Sequence, residues 1–240
     1  MDIKLIRKIC LDTGLSTNYI IKDKEISKIF KLLENKFDNI ILKGGTSLNR
    51  VYFNKFKRFS EDIDFDIFSK KEINILKEDI YLILKKYLKS YIVNKPRIMN
   101  KTIRFDIQYI NEINQKDKIM LEFRLNNKDM PDINKKIIYP GFVDFDISYF
   151  NVYSLEELFY QKIKAFINRD EGKDIYDIYV ILKDNNFPIK DKSIVINKLN
   201  NIINDDYKIK LYNNSTNHYI LKKYRLDFKL ICKFILNKIN

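Results

Sequence analysis

A glycine pair between two short apolar segments, the second of which carries closely spaced aspartates, constrains this chain more than any other feature. Gly44-Gly45 ends the apolar run 39–42, and Asp62 and Asp64 begin the next run after a basic loop over 55–58. Side chains of a β-strand alternate between two faces, so the two aspartates point the same way and the residue between them points into the core. The pattern predicts a strand that ends at the glycine turn, a helix that starts over 46–53, and, after the basic loop, a second strand over 62–68 that runs back beside the first.

Such a turn and strand can serve two kinds of ligand. Two carboxylates on one strand face can share one or two hard cations, Mg²⁺ or Mn²⁺. Backbone N–H groups at a glycine turn can meet the phosphates of a nucleotide whose cation the carboxylates hold, since no bulky side chain blocks the approach. We therefore predict a cation site at Asp62 and Asp64, and a phosphate site at Gly44, Gly45, Thr46 and Ser47.

Two further segments, 102–109 and 118–125, alternate apolar and polar residues and are separated by a turn, so they are expected to pair as neighbouring strands. Their polar faces carry two candidates for a third carboxylate near the cation site, Asp106 and Glu122. We prefer Glu122 because it stands in an otherwise apolar setting, although either acid is also compatible with a solvated strand-face charge. On the same faces, Arg104 or Arg124 is a candidate for holding phosphate.

Beyond Tyr153 the apolar spacing is helical to residue 240, and we place a domain boundary there, with domains 1–150 and 151–240. On the helix predicted over 155–169, Lys162 falls within the apolar stripe, whereas Lys164 falls on the opposite side.

A lysine that points inward needs an anion, either a carboxylate in the free protein or a nucleotide phosphate in the complex. On the next predicted helix Asp174 also lies on the inward stripe. The alternatives are that Lys162 snorkels at the edge of the core and that Asp174 is an acid favoured by the helix dipole.

The formal net charge of +13 indicates an anionic partner, with nucleic acid as the first candidate. Residues 207–240 contain eight basic residues against the single acid Asp227, so this tail is the preferred basic surface. Four aromatic residues are interleaved with these charges and either stack on unpaired bases or belong to the core. They are Tyr212, Tyr219, Tyr224 and Phe228.

The composition also excludes several kinds of site and location. His218 is the only histidine, which argues against a Ser-His or Cys-His nucleophile and against a multi-histidine metal site, so we expect a surface role for it. Cys10 and Cys232 have no partner spacing and are expected to be reduced thiols. No apolar run approaches membrane-spanning length and charged residues begin at Asp2, so we expect a cytoplasmic protein without a signal peptide.

These residues resemble the AbiEii/AbiGii family of abortive-infection toxins, nucleotidyltransferase-like proteins of toxin–antitoxin systems. The match involves the glycine turn with residues 60–64, the segment 102–104, the helix that bears Lys162, and Arg169 with residues 173–177. The chain departs from the family at Gln161, where glutamate is frequent, and at Glu171-Gly172, which alters the approach to the last motif.

The resemblance implies an α/β (α+β) fold, in which a mixed sheet flanked by helices is followed by a helical C-terminal region that completes the active site. It implies transfer of a nucleoside monophosphate from an NTP, with Mg²⁺ or Mn²⁺ as cofactor, the 3′ end of tRNA as a candidate acceptor, and a cognate antitoxin as partner. Asp62, Asp64, Lys162 and Asp174 are then the expected catalytic residues, with Asp174 orienting the acceptor or accepting its proton. Two other functions stay open: nucleotide or RNA binding without turnover, and nucleotidylation of a protein or small-molecule hydroxyl.

Overall fold

A mixed β-sheet with helices packed on it forms the first of two compact units in the computed structural model, which describes residues 3–53 and 57–239. The units are Met1–Tyr153 and Ser154–Asn240. Of the basic loop expected over 55–58, residues 55 and 56 lie outside the described residues.

The first unit contains both helices and strands. Its helices are α1 (Ile3–Thr13), α2 (Thr17–Leu33), α3 (Gly44–Ser47), which continues as a π-helical segment (Leu48–Tyr52), and α4 (Ile73–Tyr87). Its strands are β1 (Ile40–Lys43), β2 (Ile63–Phe68), β3 (Ile92–Val93), β4 (Arg97–Met99), β5 (Thr102–Ile110), β6 (Lys116–Asn126), β7 (Lys135–Ile138) and β8 (Ser148–Asn151).

The second unit is helical. It contains α5 (Leu155–Asn168), α6 (Gly172–Asp184), α7 (Lys192–Ile203), α8 (Asp206–Thr216) and α9 (Phe228–Ile239), with short 3₁₀ turns at Asn217–Tyr219 and Lys222–Tyr224. None of the helices in the described part of the chain combines the length and apolar composition needed to span a membrane.

The main sheet has the strand order β1-β2-β6-β5-β3, with β4 also paired to β5. The β2–β6 pairing is parallel and the other pairings are antiparallel. The predicted pairing of the two alternating segments is therefore confirmed, as is the antiparallel pairing of the strands on either side of the glycine turn. The short strands β3, β4, β7 and β8 were not predicted, because segments of two to four residues show too little alternation to detect.

Aromatic side chains fill the core face of this sheet. Phe65 of β2 stacks on Phe123 of β6 with ring centroids 5.4 Å apart, and Phe105 of β5 meets Phe123 edge-on at 6.0 Å. Helix α2 contributes an apolar face, and its first turn is capped by Ser16, whose hydroxyl accepts a hydrogen bond from the N–H of Tyr19. The polar residues of β2 consequently face away from the core.

A buried ion pair ties α2 to the π-helical segment that follows the glycine turn. Arg50 Nη2 lies 2.6 Å from Asp23 Oδ1, and both side chains are almost fully enclosed. The guanidinium also donates to the Ser27 hydroxyl at 2.9 Å and to the Tyr139 carbonyl at 3.2 Å. Burial raises the pKa of Asp23, and the neighbouring Arg50 opposes that rise. The pair holds the helix behind the glycine turn in place.

We predict that Arg50→Met lowers the free energy of unfolding by about 3–5 kcal/mol, because it leaves the Asp23 carboxylate buried without its cation. Denaturant unfolding measures this loss, and the double variant Asp23→Leu/Arg50→Met should recover much of it. Lys71→Met, which breaks an exposed pair with Asp79, is the control and should cost at most about 1 kcal/mol. Equal losses in Arg50→Met and Lys71→Met would contradict the assigned role.

Candidate active site

The glycine turn, residues 44–47, packs directly against β2, which we call the aspartate strand. Gly44 has a positive φ of 76°, and a Cβ atom at this position would overlap the carboxylate of Asp64. A Cβ atom on Gly45 would overlap the guanidinium of Arg58 and approach the Ser60 hydroxyl to 2.9 Å. Both positions therefore need glycine, the first for its backbone conformation as well as for space.

The hydroxyl groups of the turn are engaged within the protein. Thr46 and Ser47 are buried; the Thr46 hydroxyl donates to the Asp62 carbonyl, and the Ser47 hydroxyl donates to the Gly44 carbonyl at 2.8 Å. The N-cap of α3, Lys43, makes no side-chain hydrogen bond to the backbone N–H groups of the first turn.

Three aspartates alternate along one face of the aspartate strand. Asp62 immediately precedes β2, while Asp64 and Asp66 lie within it, and all three side chains are half-buried. Asp66 forms an ion pair with Lys43 and accepts a hydrogen bond from the Tyr153 hydroxyl at 2.7 Å. Asp66 therefore has a structural function, whereas Asp62 and Asp64 lie at the end of the strand that meets the glycine turn.

The strand register places Glu122 next to Asp64. In the parallel β2–β6 pairing Asp64 stands opposite Glu122, and in the antiparallel β5–β6 pairing Glu122 stands opposite Arg104. Arg104 Nε donates to Glu122 Oε1 at 2.6 Å. The preference for Glu122 rested partly on its being an unexplained charge in an apolar setting, and that premise was wrong, because the neighbouring strand supplies its partner.

The other two candidates on these strands lie further from the aspartate pair. Asp106 is on β5, two strands from β2, and bonds Arg97 at 3.1 Å and Lys118 at 2.9 Å. Arg124 is exposed and stands in register with Asp66, one row beyond Asp64. By register, Glu122 is closer than Asp106 to the predicted cation site.

Asp62 and Asp64 are the side chains that could hold a hard cation here, without a third carboxylate arranged beside them in the described part of the chain. Within residues 3–53 and 57–239, no group of three or more His, Cys, Asp or Glu side chains is arranged to hold a metal ion. Two carboxylates from Asp62 and Asp64, completed by water and substrate phosphates, are a typical Mg²⁺ environment. Glu122 would join them only by leaving Arg104, and Arg104 would bind phosphate only by leaving Glu122.

Two residues near the turn were not selected from the sequence. Arg58 is buried, lies against Gly45, and its backbone N–H donates to Asn49 Oδ1 at 3.2 Å. The Asn49 amide in turn donates to the Gly45 carbonyl at 2.8 Å. From the sequence alone, a basic loop is expected to be exposed to solvent. The structure shows instead that Arg58 is buried and that its positive charge lies beside the turn.

A second polar cluster lies inside the helical unit. Lys162 Nζ is 2.8 Å from Asp174 Oδ1 and 2.8 Å from Asp177 Oδ2, and both carboxylates are fully buried. Arg169 Nε donates to the other oxygen of Asp174 at 2.7 Å. The predicted inward positions of Lys162 and Asp174 are confirmed, as is the exposed position of Lys164. The carboxylate partner expected for Lys162 is present.

The environment of Asp174 makes it a weak base. Burial alone would raise the pKa of its carboxyl, but Lys162 and Arg169 outweigh burial and lower that pKa to about 2. A carboxylate with so low a pKa accepts a proton poorly near neutral pH. The suggestion that Asp174 accepts the proton of the attacking hydroxyl is therefore disfavoured, and the arrangement suits a residue that positions Lys162.

His218 and the cysteines show no sign of a catalytic site. His218 is exposed, and its Nδ1 lies 3.3 Å from the Asn214 carbonyl oxygen. Cys232 is buried, and burial raises the pKa of its thiol to about 12, which keeps it protonated and unreactive. The two cysteines are free thiols, as expected.

We predict that Lys162→Met lowers the free energy of unfolding by about 3–5 kcal/mol, because it leaves two buried carboxylates without their shared cation. Lys164→Met, on the exposed side of the same helix, is the matched control and should change stability by no more than about 0.5 kcal/mol.

The same variant should change the dependence of stability on pH. The pKa of Asp174 is lowered in the folded state, so its stabilisation is complete above the unfolded pKa of 3.8 and is lost as pH falls towards about 2. Without Lys162 that pKa is less depressed, and unfolding measured across this acidic range should show a smaller decline than in the parent protein. An unchanged decline would show that Lys162 does not set the pKa of Asp174.

Comparisons with known proteins identify the family and the fold of the chain. The profile of the family described as nucleotidyl transferase AbiEii toxin, type IV toxin–antitoxin system, matches residues 31–235. A search of curated protein sequences finds no match.

Among solved structures, the fold is similar to MenT4, the nucleotidyltransferase toxin Rv2826c from Mycobacterium tuberculosis H37Rv. The TM-score is 0.61 at 13% identity, over 99% of this chain and 88% of that one. An antigenic nucleotidyltransferase-like protein from Paracoccidioides brasiliensis gives a TM-score of 0.48 at 16% identity, over 82% of this chain and 93% of that one. The expected mixed α/β fold is confirmed, and the family match spans most of the sequence. The chain therefore belongs to the AbiEii family of nucleotidyltransferase toxins.

Proposed function

We propose that this nucleotidyltransferase uses Asp62 and Asp64 to hold Mg²⁺ or Mn²⁺ with an NTP, and that it transfers the nucleoside monophosphate to an RNA hydroxyl, with the 3′ end of tRNA as the acceptor. A cognate antitoxin and action in the cytoplasm, where NTPs and tRNA are present, are part of the same proposal. The family membership supports the toxin role and the transfer reaction.

The observation that carries this proposal is the packing of the Gly44 turn on the carboxylate of Asp64. It brings the backbone N–H groups of the turn and the strand carboxylates within one small region. The Thr46 hydroxyl bonded to the Asp62 carbonyl adds a second tie between the same two elements. A triphosphate needs both kinds of group, N–H donors for its oxygens and carboxylates for its accompanying cation.

The residues of the first unit have distinct roles in this proposal. Asp62 and Asp64 hold the ion, which when bound aligns the triphosphate and neutralises its charge. The N–H groups of Gly44–Ser47 hold phosphate oxygens, and the buried guanidinium of Arg58 beside Gly45 adds positive charge there. The acceptor oxygen attacks the α-phosphorus in line, the bond to the pyrophosphate oxygen breaks, and the hydroxyl proton passes to solvent.

In this proposal Lys162 keeps the role expected from the sequence, whereas the role of Asp174 changes. Lys162 is the expected phosphate ligand of the helical unit, and Asp174 and Asp177 hold its ammonium group in place. Asp174 is then a positioning residue. Glu122 as third metal ligand and Arg104 as phosphate ligand remain proposals that require their mutual ion pair to open.

Label transfer from each α-labelled NTP to total RNA and total protein tests the function. Transfer to RNA supports the proposal, and isolation of the labelled RNA identifies the acceptor and the end modified. Transfer to protein or to a small molecule would replace the RNA acceptor with a different hydroxyl. Binding of nucleotide without any label transfer would instead favour a nucleotide- or RNA-binding protein.

We predict that Asp64→Asn reduces nucleotide transfer by about 1000-fold or more, because the amide keeps the shape of the carboxylate beside Gly44 but not its charge for the ion. The matched control is Asp66→Asn on the same strand face. It loses the ion pair with Lys43 but should keep most of the transfer activity at temperatures where it is folded.

A second measurement separates metal binding from turnover. Mg²⁺ together with an NTP should raise the melting temperature of the parent protein and of Asp66→Asn, and should raise that of Asp64→Asn much less. Full transfer activity in Asp64→Asn, or an equal thermal shift in both variants, would refute the assignment of Asp64 to the cation.

A further inference from the structure

The basic C-terminal region divides into buried aromatic residues and a separate exposed segment. Tyr212 and Phe228 are buried and pack together with ring centroids 5.9 Å apart, so they belong to the core and do not stack on bases. Tyr219 and Tyr224 are half-exposed and lie in the two short 3₁₀ turns between α8 and α9. Of the four aromatic residues interleaved with the basic residues of 207–240, the two that remain accessible therefore lie within residues 217–225.

Buried side chains and hydrogen bonds anchor residues 217–225 to the helical unit. Ile220 and Leu221 are buried, so the middle of the segment is anchored in the helical unit. Arg225 Nε donates to the Ile220 carbonyl at 2.9 Å and closes the stretch from 220 to 225 into a loop. At its far end, the Phe228 N–H donates to Asn213 Oδ1 at 3.1 Å and fixes the exit to α9. Groups on the outside of the loop are therefore presented in a defined arrangement.

The outside of the loop combines positive charge with aromatic rings. Residues 217–225 include no acid, and Lys222, Lys223 and Arg225 are exposed. Lys223 Nζ lies 4.9 Å from the ring centroid of Tyr224. Cations for phosphates beside rings for bases are the features that bind single-stranded nucleic acid.

The loop lies beside the cluster that contains Asp174. A Cβ atom on Gly172, the first residue of α6, would overlap the Thr216 hydroxyl at the end of α8, so the start of α6 and the start of the loop are in contact. Lys173 Nζ lies 4.5 Å from the ring centroid of Tyr219. The next residue is Asp174, which is bonded to Lys162. The loop is therefore in contact with the first turn of the helix that carries Asp174.

We propose that residues 217–225, together with Lys173, form the surface that binds the unpaired 3′ segment of the RNA acceptor. Tyr219 and Tyr224 stack on its bases, and Lys173, Lys222 and Lys223 contact its phosphates. This inference rests on the proposed RNA acceptor and specifies which part of the chain holds it.

The test measures binding of a short fluorescent single-stranded RNA across a series of salt concentrations, in the Asp64→Asn background so that no turnover occurs. The variant Lys222→Ala/Lys223→Ala should bind about tenfold more weakly and lower the slope of log affinity against log salt by about 1.4, or about 0.7 for each lost phosphate contact. Lys233→Ala/Lys238→Ala removes the same charge from exposed positions on α9 and is the matched control. Its affinity and slope should change little.

A second pair of variants tests stacking. Tyr219→Leu/Tyr224→Leu should lose about tenfold or more in affinity with little change in salt slope, whereas Tyr219→Phe/Tyr224→Phe keeps the rings and should keep the affinity. Thermal unfolding confirms that each variant is folded. If the leucine variant does not fold, the comparison of Lys222→Ala/Lys223→Ala with Lys233→Ala/Lys238→Ala is sufficient to test the inference.

The outcomes distinguish this inference from the proposed function. Equal loss of RNA affinity in both lysine pairs, or no loss in Lys222→Ala/Lys223→Ala, overturns the inference even if nucleotide is transferred to RNA; the loop then serves another partner such as an acidic protein. Selective loss in Lys222→Ala/Lys223→Ala supports it even if the parent protein transfers no label. In that case the proposed reaction fails and the RNA-binding surface stands.

Discussion

The close approach of Gly44 to the carboxylate of Asp64 is the constraint on which the candidate site depends. It requires a residue without a side chain at a positive φ, and it requires the antiparallel register that sets Lys43 opposite Asp64. The buried pair of Asp23 and Arg50 supports the same arrangement from behind, since it fixes the helical segment that follows the turn. The backbone donors and the carboxylates are thus positioned by the same few contacts.

Three acidic residues on the polar face of the sheet are paired with neighbouring cationic or hydroxyl side chains. Lys43 and Tyr153 hold Asp66, Arg104 holds Glu122, and Arg97 with Lys118 holds Asp106. These pairs neutralise acids that would otherwise repel one another across neighbouring strands. The aspartates at the glycine turn are set apart by position, because they lie where the strand meets that turn.

The helical unit contains a separate cluster of buried charged side chains. Two fully buried carboxylates, Asp174 and Asp177, share the ammonium group of Lys162, and Arg169 completes the coordination of Asp174. Burying such charges is tolerated only when each has a close partner, so the cluster is interdependent. The low pKa of Asp174 follows from that arrangement.

The sequence by itself determined the strands around the glycine turn, the pairing of the two alternating segments and the inward positions of Lys162 and Asp174. These features depend on local periodicity, which neighbouring residues specify on their own. Only the tertiary structure decided which cation meets which carboxylate, that Arg58 is buried at the turn, and which tyrosines of the C-terminal region are exposed. Those outcomes depend on strand register and helix packing between residues distant in the chain, and no local pattern encodes them.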